Sequence, residues 1–178
     1  MNPCTPTPKR PILLLVVLLS MMASACSSSS PVDRKAGTSG QLKESPLLGK
    51  WNLSKKTRLE NGHDLVQSSD YEFVSNGTFS NDSRTKLIDG TTGDPLCIQR
   101  SAESGIWTAD QSETSWTTEK AELVEFETFT NLITRDAIEQ SMAADRPPER
   151  FSIISSGDTS IKLTLIPDGP AITLTRKE

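Results

Sequence analysis

The feature that most constrains this chain is a two-residue alternation of apolar and polar side chains in its last third. Residues 159–166 and 171–176 place apolar side chains at every second position, with Ile161 and Leu163 in the clearest run. A third segment, residues 151–155, precedes them, and Gly, Pro and Asp residues lie between the segments. Alternation of this kind is typical of strands with one buried face. Gly, Pro and Asp residues between strands are typical of turns. The sequence therefore predicts an antiparallel meander of three strands here.

The same pattern predicts more strands upstream. Trp51 and Leu53 share one face of the first of them, and Asn76-Gly77 is typical of a tight hairpin turn. Short strands at this spacing indicate a mainly β fold, an antiparallel sandwich or barrel. The other predicted strand segments are residues 49–54, 71–73, 78–79, 85–88, 96–99, 105–108, 115–118 and 122–129.

One segment has a different period. Asp136, followed three residues later by Glu139, resembles a capping arrangement, and Pro147-Pro148 ends any helix that begins there. We predict one inserted helix near residues 135–145, and an alternative is that residues 119–129 are helical and join it. The apolar residues at helical spacing are Ile133, Ala137, Ile138 and Met142.

The first 25 residues have the layout of a secretory signal. Lys9 and Arg10 precede an apolar run over residues 12–19. That run is shorter than the roughly 20 residues that cross a bilayer. Small residues at 23–25 form a cleavage site directly before Cys26. A plain secreted protein with an unmodified Cys26 is the alternative interpretation.

Composition divides the remaining chain into a tether and one domain. Residues 26–46 are rich in Ser, Pro and Gly with few apolar side chains, which predicts a flexible tether, and residues 47–178 form the domain. Loss of residues 1–25 removes two basic residues and no acidic one, so the formal net charge falls from −4 to −6. Basic residues are not clustered, which argues against nucleic acid as a partner.

The residues that catalysis or metal binding needs are sparse. The only histidine, His63, has Glu60 and Asp64 nearby, but one imidazole with surface carboxylates is a poor ligand set, so a solvated loop histidine is favoured. The sequence contains no Gly-x-Ser-x-Gly motif and no Gly-rich phosphate loop. Cys97, between two apolar residues, is expected to be a buried small hydrophobe, and a disulfide with Cys26 is open only if Cys26 is unmodified. We expect a protein that is not an enzyme and needs no metal or cofactor.

The small residues before Cys26 and the serine run at 27–30 resemble the lipobox and tether of bacterial lipoproteins. The resemblance implies a diacylglycerol thioether on Cys26 and an acyl chain on its amino group, which together anchor the protein to a membrane. Ser27 stands where inner-membrane retention usually shows Asp, so the resemblance favours the outer membrane, facing the periplasm.

Four motifs in the domain resemble the bacterial lipocalin-like lipoprotein domain. They are Leu48-Gly49-Lys50-Trp51, residues 71–79 around the Asn-Gly turn, Ser104-Gly105-Ile106-Trp107 and the closing residues 172–177. The resemblance implies a small antiparallel up-and-down β-barrel, with the helix as an insertion. It also implies that Arg176 covers Trp51 at the closed end of the barrel, as a structural pairing.

A barrel of this kind either holds a small apolar ligand or is filled by its own side chains. In the first case the protein is a membrane-anchored binding module of the periplasm. In the second it is a solid structural or interaction lipoprotein that contacts an envelope protein, and the helix would show an exposed apolar patch. The candidate pocket residues, which serve equally well as core, are Tyr71, Phe73, Phe79, Trp107 and Phe126.

Overall fold

The computed structural model of the protein describes residues 42, 44–131 and 133–178. Its eight antiparallel strands follow one another around a closed barrel in chain order. One helix, α1 (Arg135–Ala143), connects the fifth and sixth strands. The predicted mainly β, up-and-down barrel with a single inserted helix is confirmed. The strands are β1 (Gly49–Arg58), β2 (Asp64–Phe73), β3 (Thr78–Ile88), β4 (Pro95–Ala109), β5 (Glu113–Thr128), β6 (Glu149–Ser156), β7 (Ser160–Leu165) and β8 (Ala171–Arg176).

The eight strands differ in length, and the difference shapes the barrel. Strands β1–β5 have 10 to 16 residues, whereas β6–β8 have 6 to 8. Strand β6 pairs with β5 only over residues 113–116, and β8 pairs with β1 only at Trp51 and Asn52. The barrel is therefore closed by strand pairing near one end, which we call the closed end. Beyond it, no described strand joins the rest of β1 to the rest of β5, and α1 packs on β5 there.

Strands β3, β4 and β5 are longer than the sequence pattern predicts. The predicted segment 85–88 is only the end of β3, and the segments 96–99 and 105–108 are two parts of β4. Strand β5 contains both 115–118 and 122–129, so the alternative of a helix over 119–129 is wrong. Two register shifts between β4 and β5 displace the alternation, which explains why each strand looks like two.

Gly105 is required by one of these irregularities. The register of β4 against β5 shifts between Ser104 and Gly105. A Cβ atom built on Gly105 would overlap the carbonyl oxygen of Thr117 on the neighbouring strand. Any larger residue must therefore push the two backbones apart.

Helix α1 begins at a cap other than the predicted one. The Thr134 hydroxyl accepts a hydrogen bond from the Ala137 amide at 3.3 Å, so Thr134 is the N-cap. Glu139, expected in a capping arrangement with Asp136, instead accepts from the Arg135 guanidinium at 2.7 Å. The side chain of Arg135 also donates to the carbonyl of Leu123, on the free edge of β5, at 3.2 Å. These contacts hold the helix against the open side of the barrel.

The buried apolar residues form two clusters, at opposite ends of the barrel. The closed-end cluster consists of Leu42, Leu47, Trp51, Leu53, Phe73, Phe79, Trp107, Ala109, Trp116, Phe151, Ile161, Leu163, Ile172 and Leu174. The second, which we call the roof cluster, joins α1 to the far ends of β3–β5. It consists of Leu87, Cys97, Leu123, Ile133 and Ile138.

Two further observations concern the predicted tether and the cysteines. Leu42 lies in the closed-end cluster, so packing against the barrel begins inside the range 26–46 that the sequence assigns to the tether. Cys97 is buried, and burial raises the pKa of its thiol. The predicted signal over 1–25, Cys26 and Ser27 lie outside the described residues. Within the described residues, no helix has the length and apolar character needed to cross a bilayer.

Candidate functional site: a polar cavity inside the barrel

The inward side chains of β2, β3 and β4 stack in rows of cross-strand neighbours. Phe73 and Phe79 are paired in the row nearest the closed end, and Leu65, Leu87 and Cys97 form the row beneath α1. Between these apolar rows lie three polar ones. They are Tyr71, Asn81 and Glu103; Ser69, Ser83 and Ser101; and Gln67, Thr85 and Gln99. Polar residues are seldom fully buried, so three inward rows of them in the middle of a barrel indicate a site.

The polar rows surround a cavity of about 550 Å³. Its floor is aromatic and consists of Tyr71, Trp116 and Phe151. Its roof consists of the inner side of α1 and residues 144–147. Ligand pockets in proteins commonly enclose about 300–1,000 Å³, so the barrel has room for a small molecule.

Several polar groups in the wall are already hydrogen-bonded to one another. Ser69 Oγ donates to Ser83 Oγ at 2.9 Å, and Gln67 Nε2 donates to Ser69 Oγ at 3.3 Å. These bonds hold neighbouring side chains in fixed positions on rigid strands. The wall is therefore organised by its own hydrogen bonds.

Asn81 has one group that the wall does not satisfy. Its Nδ2 donates to Glu103 Oε2 at 3.4 Å. Its Oδ1 is buried and finds no hydrogen-bond partner among the described residues, and the side chain is only 6% exposed. A buried polar atom without a partner costs about 1–3 kcal/mol. Since Asn81 lines the cavity, an occupant that donates a hydrogen bond would remove that cost.

An ion pair connects the roof to the wall. Arg146, in the segment after α1, donates to Glu103 Oε1 at 2.8 Å and to the carbonyl of Met142 at 3.4 Å. Both charged side chains are largely shielded, at 30% and 20% exposure. Shielding strengthens an ion pair relative to one in open solvent, so Arg146 holds the roof segment against β4.

Glu149 is another carboxylate that lines the cavity, and it lacks such a partner among the described residues. It is half-buried at the start of β6, and within the described part of the chain it forms no hydrogen bond or ion pair. Burial, followed by the negative charge of Glu103, raises its pKa, and the charge of Arg146 opposes the rise. Burial and the charges of Glu149 and Glu103 also raise the pKa of Tyr71, so its phenol stays protonated.

The structure separates the five residues predicted as pocket candidates. Tyr71 lies on the cavity floor, beside Trp116 at a ring-centroid distance of 5.6 Å. The other four do not border the cavity. Phe73, Phe79 and Trp107 belong to the closed-end cluster, and Phe126 packs against the roof cluster.

Most of the residues that line the cavity were not predicted from the sequence. Trp116 lies in a segment whose alternation is weak, and the polar wall residues lie in strands whose two faces are both polar. One pattern in β3 does indicate the cavity. Asn81, Ser83 and Thr85 occupy every second position between Phe79 and Leu87, so all five side chains point inward. Polar residues at inward positions between two apolar ones indicate a lined cavity rather than a packed core.

At the closed end, the guanidinium carbon of Arg176 lies 4.3 Å from the centroid of the Trp51 ring. The same guanidinium donates to the carbonyl oxygens of Asp158 at 2.8 Å, Leu48 at 3.3 Å and Pro46 at 3.4 Å. Trp51 is fully buried, and its Nε1 donates to the Leu47 carbonyl at 2.7 Å. This arrangement ties the first and last strands together and lies outside the cavity.

Two other candidate sites lie outside the cavity: a metal site near His63 and an interface on α1. Asp64, beside His63, is bound to Lys56 at 2.9 Å and Arg58 at 3.0 Å, and the described residues bring no three metal-ligating side chains together. The large apolar side chains that are exposed do not lie on α1, as an interface through the helix would require. They are Val74, Ile106, Val124, Phe129 and Ile154.

The sequence matches no model of a known protein family and no curated protein. The functional conclusion therefore depends on the barrel and its cavity.

Proposed function

We propose that this protein is a lipid-anchored, small-molecule-binding protein of the bacterial cell envelope. The observation that carries the proposal is the cavity of about 550 Å³, bounded by inward polar side chains on rigid strands. Fixed polar groups that converge on an aromatic floor are the arrangement by which small-molecule sites gain orientation and specificity. Binding, not catalysis, is the proposed role.

The lining favours a ligand with hydrogen-bonding groups over the wholly apolar one expected from the sequence. Of the inward rows in the middle of the barrel, three are polar, and one holds the unsatisfied oxygen of Asn81. A wholly apolar ligand would leave the Asn81 oxygen without a partner and would shield the other polar groups of the wall from water, at a cost. Trp116 and Phe151 offer an apolar surface to the rest of the ligand.

The alternative, a solid barrel that serves as an interaction module, has less support. Native cores leave few voids larger than a water molecule, so a cavity of about 550 Å³ is unlike a filled interior. The apolar side of α1 is turned inward, where Ile138 packs in the roof cluster. We therefore propose ligand binding as the function.

The proposed anchor and location come from the sequence. Acylation at Cys26 would hold the barrel at a membrane, and Ser27 favours the outer membrane, facing the periplasm. Metabolic labelling of cells with an alkyne fatty acid tests the anchor. The whole chain should carry the label and a Cys26→Ser variant should not. A soluble wild-type protein without label would contradict this part of the proposal.

Native mass spectrometry tests the binding function. The full-length protein, extracted in detergent, is expected to carry a small molecule of defined mass. Ser101→Phe, which fills the cavity, should remove the adduct. Ser104→Phe, at an exposed position of the same strand, should keep it. Repeated preparations without an adduct, from cells grown on rich and minimal media, would contradict ligand binding.

A further inference from the structure

We infer that the ligand carries a protonated amine, bound between Glu149, Glu103 and the side-chain oxygen of Asn81, with an apolar body on Trp116. This inference rests on the proposed binding function and specifies the chemical class of its ligand. It follows from three independent properties of the cavity: its charge, its unsatisfied acceptor and the register of its strands.

The charged side chains that line the cavity have a negative surplus. Glu103, Asp145 and Glu149 supply carboxylates, and among the described residues that line the cavity Arg146 alone is positively charged. Arg146 is already committed to Glu103, so it leaves Glu149 without a direct counter-ion in the described structure. Shielding an unpaired carboxylate from water is costly, and a cationic ligand would offset that cost, whereas an anionic one would increase it.

The unsatisfied group of Asn81 is an acceptor, not a donor. Glu103 Oε2 is a carboxylate oxygen that accepts hydrogen bonds, so the Asn81 nitrogen must face it and the amide oxygen must point the other way. That oxygen is buried and without a partner among the described residues. Only a donor can satisfy it. An ammonium group has three donors and a positive charge, and thus matches both Asn81 and the carboxylates.

The strand register groups these residues on two walls of the cavity. Tyr71 is paired with Asn81 across β2 and β3, and Asn81 with Glu103 across β3 and β4. On the other side of the cavity, Trp116 of β5 is paired with Glu149 of β6. A carboxylate and an aromatic side chain are therefore neighbours on this wall, and a cation is attracted to both.

A metal ion fits this site less well than an amine. The acceptors of the proposed site are Glu103, Glu149 and the amide oxygen of Asn81, and Glu103 is already held by Arg146. The described residues contain no group of three or more metal-ligating side chains placed to hold a metal ion. An organic cation also fills the volume and covers the aromatic floor, which a bare ion cannot do.

Three probes of similar shape and different charge test the inference: 2-phenylethylamine, 2-phenylethanol and phenylacetate. Binding to the full-length protein in detergent is measured by isothermal titration calorimetry at pH 7. Any copurified adduct is first removed by exhaustive dialysis, and its absence is checked by native mass spectrometry. We expect the amine to bind at least tenfold more tightly than the alcohol, a difference of about 1.4 kcal/mol. The acid should bind most weakly.

Two variants locate the selectivity, and a third serves as the control. Glu149→Gln should reduce the affinity for the amine about tenfold and leave the affinity for the alcohol unchanged. Asn81→Ala should reduce the affinity for the amine about tenfold and that for the alcohol less, because the hydroxyl also donates to this oxygen but carries no charge. Glu127→Gln, an exposed carboxylate on the outside of β5, should change neither affinity. Circular dichroism shows whether each variant is folded before it is titrated.

The outcomes separate this inference from the function on which it rests. Equal affinities for amine and alcohol, or tighter binding of the acid, would overturn the amine assignment and leave a binding cavity in place. Binding of the amine that survives Glu149→Gln and Asn81→Ala would also overturn it. If none of the probes binds, the amine assignment fails, and the native mass spectrum decides separately whether the cavity is a binding site.

Discussion

The two ends of this barrel are built from the same strands in opposite ways. At the closed end the strands join all the way round, and aromatic side chains fill the interior, with Trp116 and Phe151 only 4.4 Å apart between ring centroids. Beyond that end, no described strand joins the far parts of β5 and β1, the middle of the interior is polar, and α1 with its apolar roof cluster covers the opening. Packing at the closed end stabilises the strands, and the same strands hold the polar side chains of the cavity in position.

The contrast shows how a small barrel can keep an organised cavity. Buried polar groups weaken a fold unless each is satisfied, so they are tolerated where other parts of the structure fix the backbone. Here the aromatic cluster fixes the strands, and the same strands carry Ser69, Asn81 and Gln99 beyond it. Four predictions test this division, from the largest expected effect to the smallest.

Trp51→Ala should cause the greatest loss of stability. Truncating a fully buried aromatic side chain costs about 3–5 kcal/mol, and this one also loses its hydrogen bond to Leu47. Gln99→Ala, a truncation in the cavity wall, should cost about 1 kcal/mol or less because it enlarges a space that already exists. Urea unfolding of the full-length protein measures both. Equal losses of unfolding free energy in the two variants would contradict the difference between the closed end and the cavity.

Gly105→Ala tests the boundary between the two ends. The added methyl group has no room against the backbone of Thr117, so the substitution should destabilise the barrel by about 1–3 kcal/mol. Gly157→Ala is the matched control, because its new Cβ would meet only ordinary van der Waals contact at 3.7 Å. Thermal unfolding compares them, and a stable Gly105→Ala protein would show that the strands there are free to move.

Arg176→Ala should destabilise the closed end by about 0.5–2 kcal/mol, the range for a guanidinium over an indole ring. The hydrogen bond to the Asp158 carbonyl is lost with it. Arg176→Lys keeps the charge without the planar fork and should recover only part of the stability. An unchanged melting temperature in the alanine variant would remove this pairing from the contacts that close the barrel.

Glu149→Gln should make the protein more stable at neutral pH. Because the native structure raises the pKa of Glu149, the folded protein binds this proton more tightly than the unfolded chain does, whose pKa is near 4.5. Wild-type stability therefore falls relative to the variant as the pH rises through the interval between those two values, and the difference then stays constant. Urea midpoints from pH 4 to pH 8 measure it. A variant less stable than the wild type at pH 7 would contradict the burial of an unpaired charge.

The alternation in the sequence predicted the parts of the barrel that bury one apolar face. Strands β1, β7 and β8 show it, because Leu53, Ile161 and Leu174 face the closed-end cluster and their neighbours face outward. The helix was predicted for the same reason, since Ile138 and Met142 recur at its period. Where one side of an element meets an apolar core, the pattern and the structure agree.

The cavity could not be predicted in this way. On β3 the inward residues Asn81, Ser83 and Thr85 are as polar as the outward ones, so periodicity disappears where the site begins. On β4 and β5 the register shifts move residues from one face to the other without a mark in the sequence. Glu103 of β4 and Glu149 of β6 line one cavity although they lie on different strands, which no local pattern records.

Strand register does not fix the roof of the cavity. Helix α1 and residues 144–147 contact the barrel through side chains, whereas most of the other lining residues lie on hydrogen-bonded strands. A change in the length or sequence of this segment between β5 and β6 would leave all strand pairings in place. Under the proposed binding function, changes confined to this segment would alter which ligand fits and leave the strand scaffold unchanged.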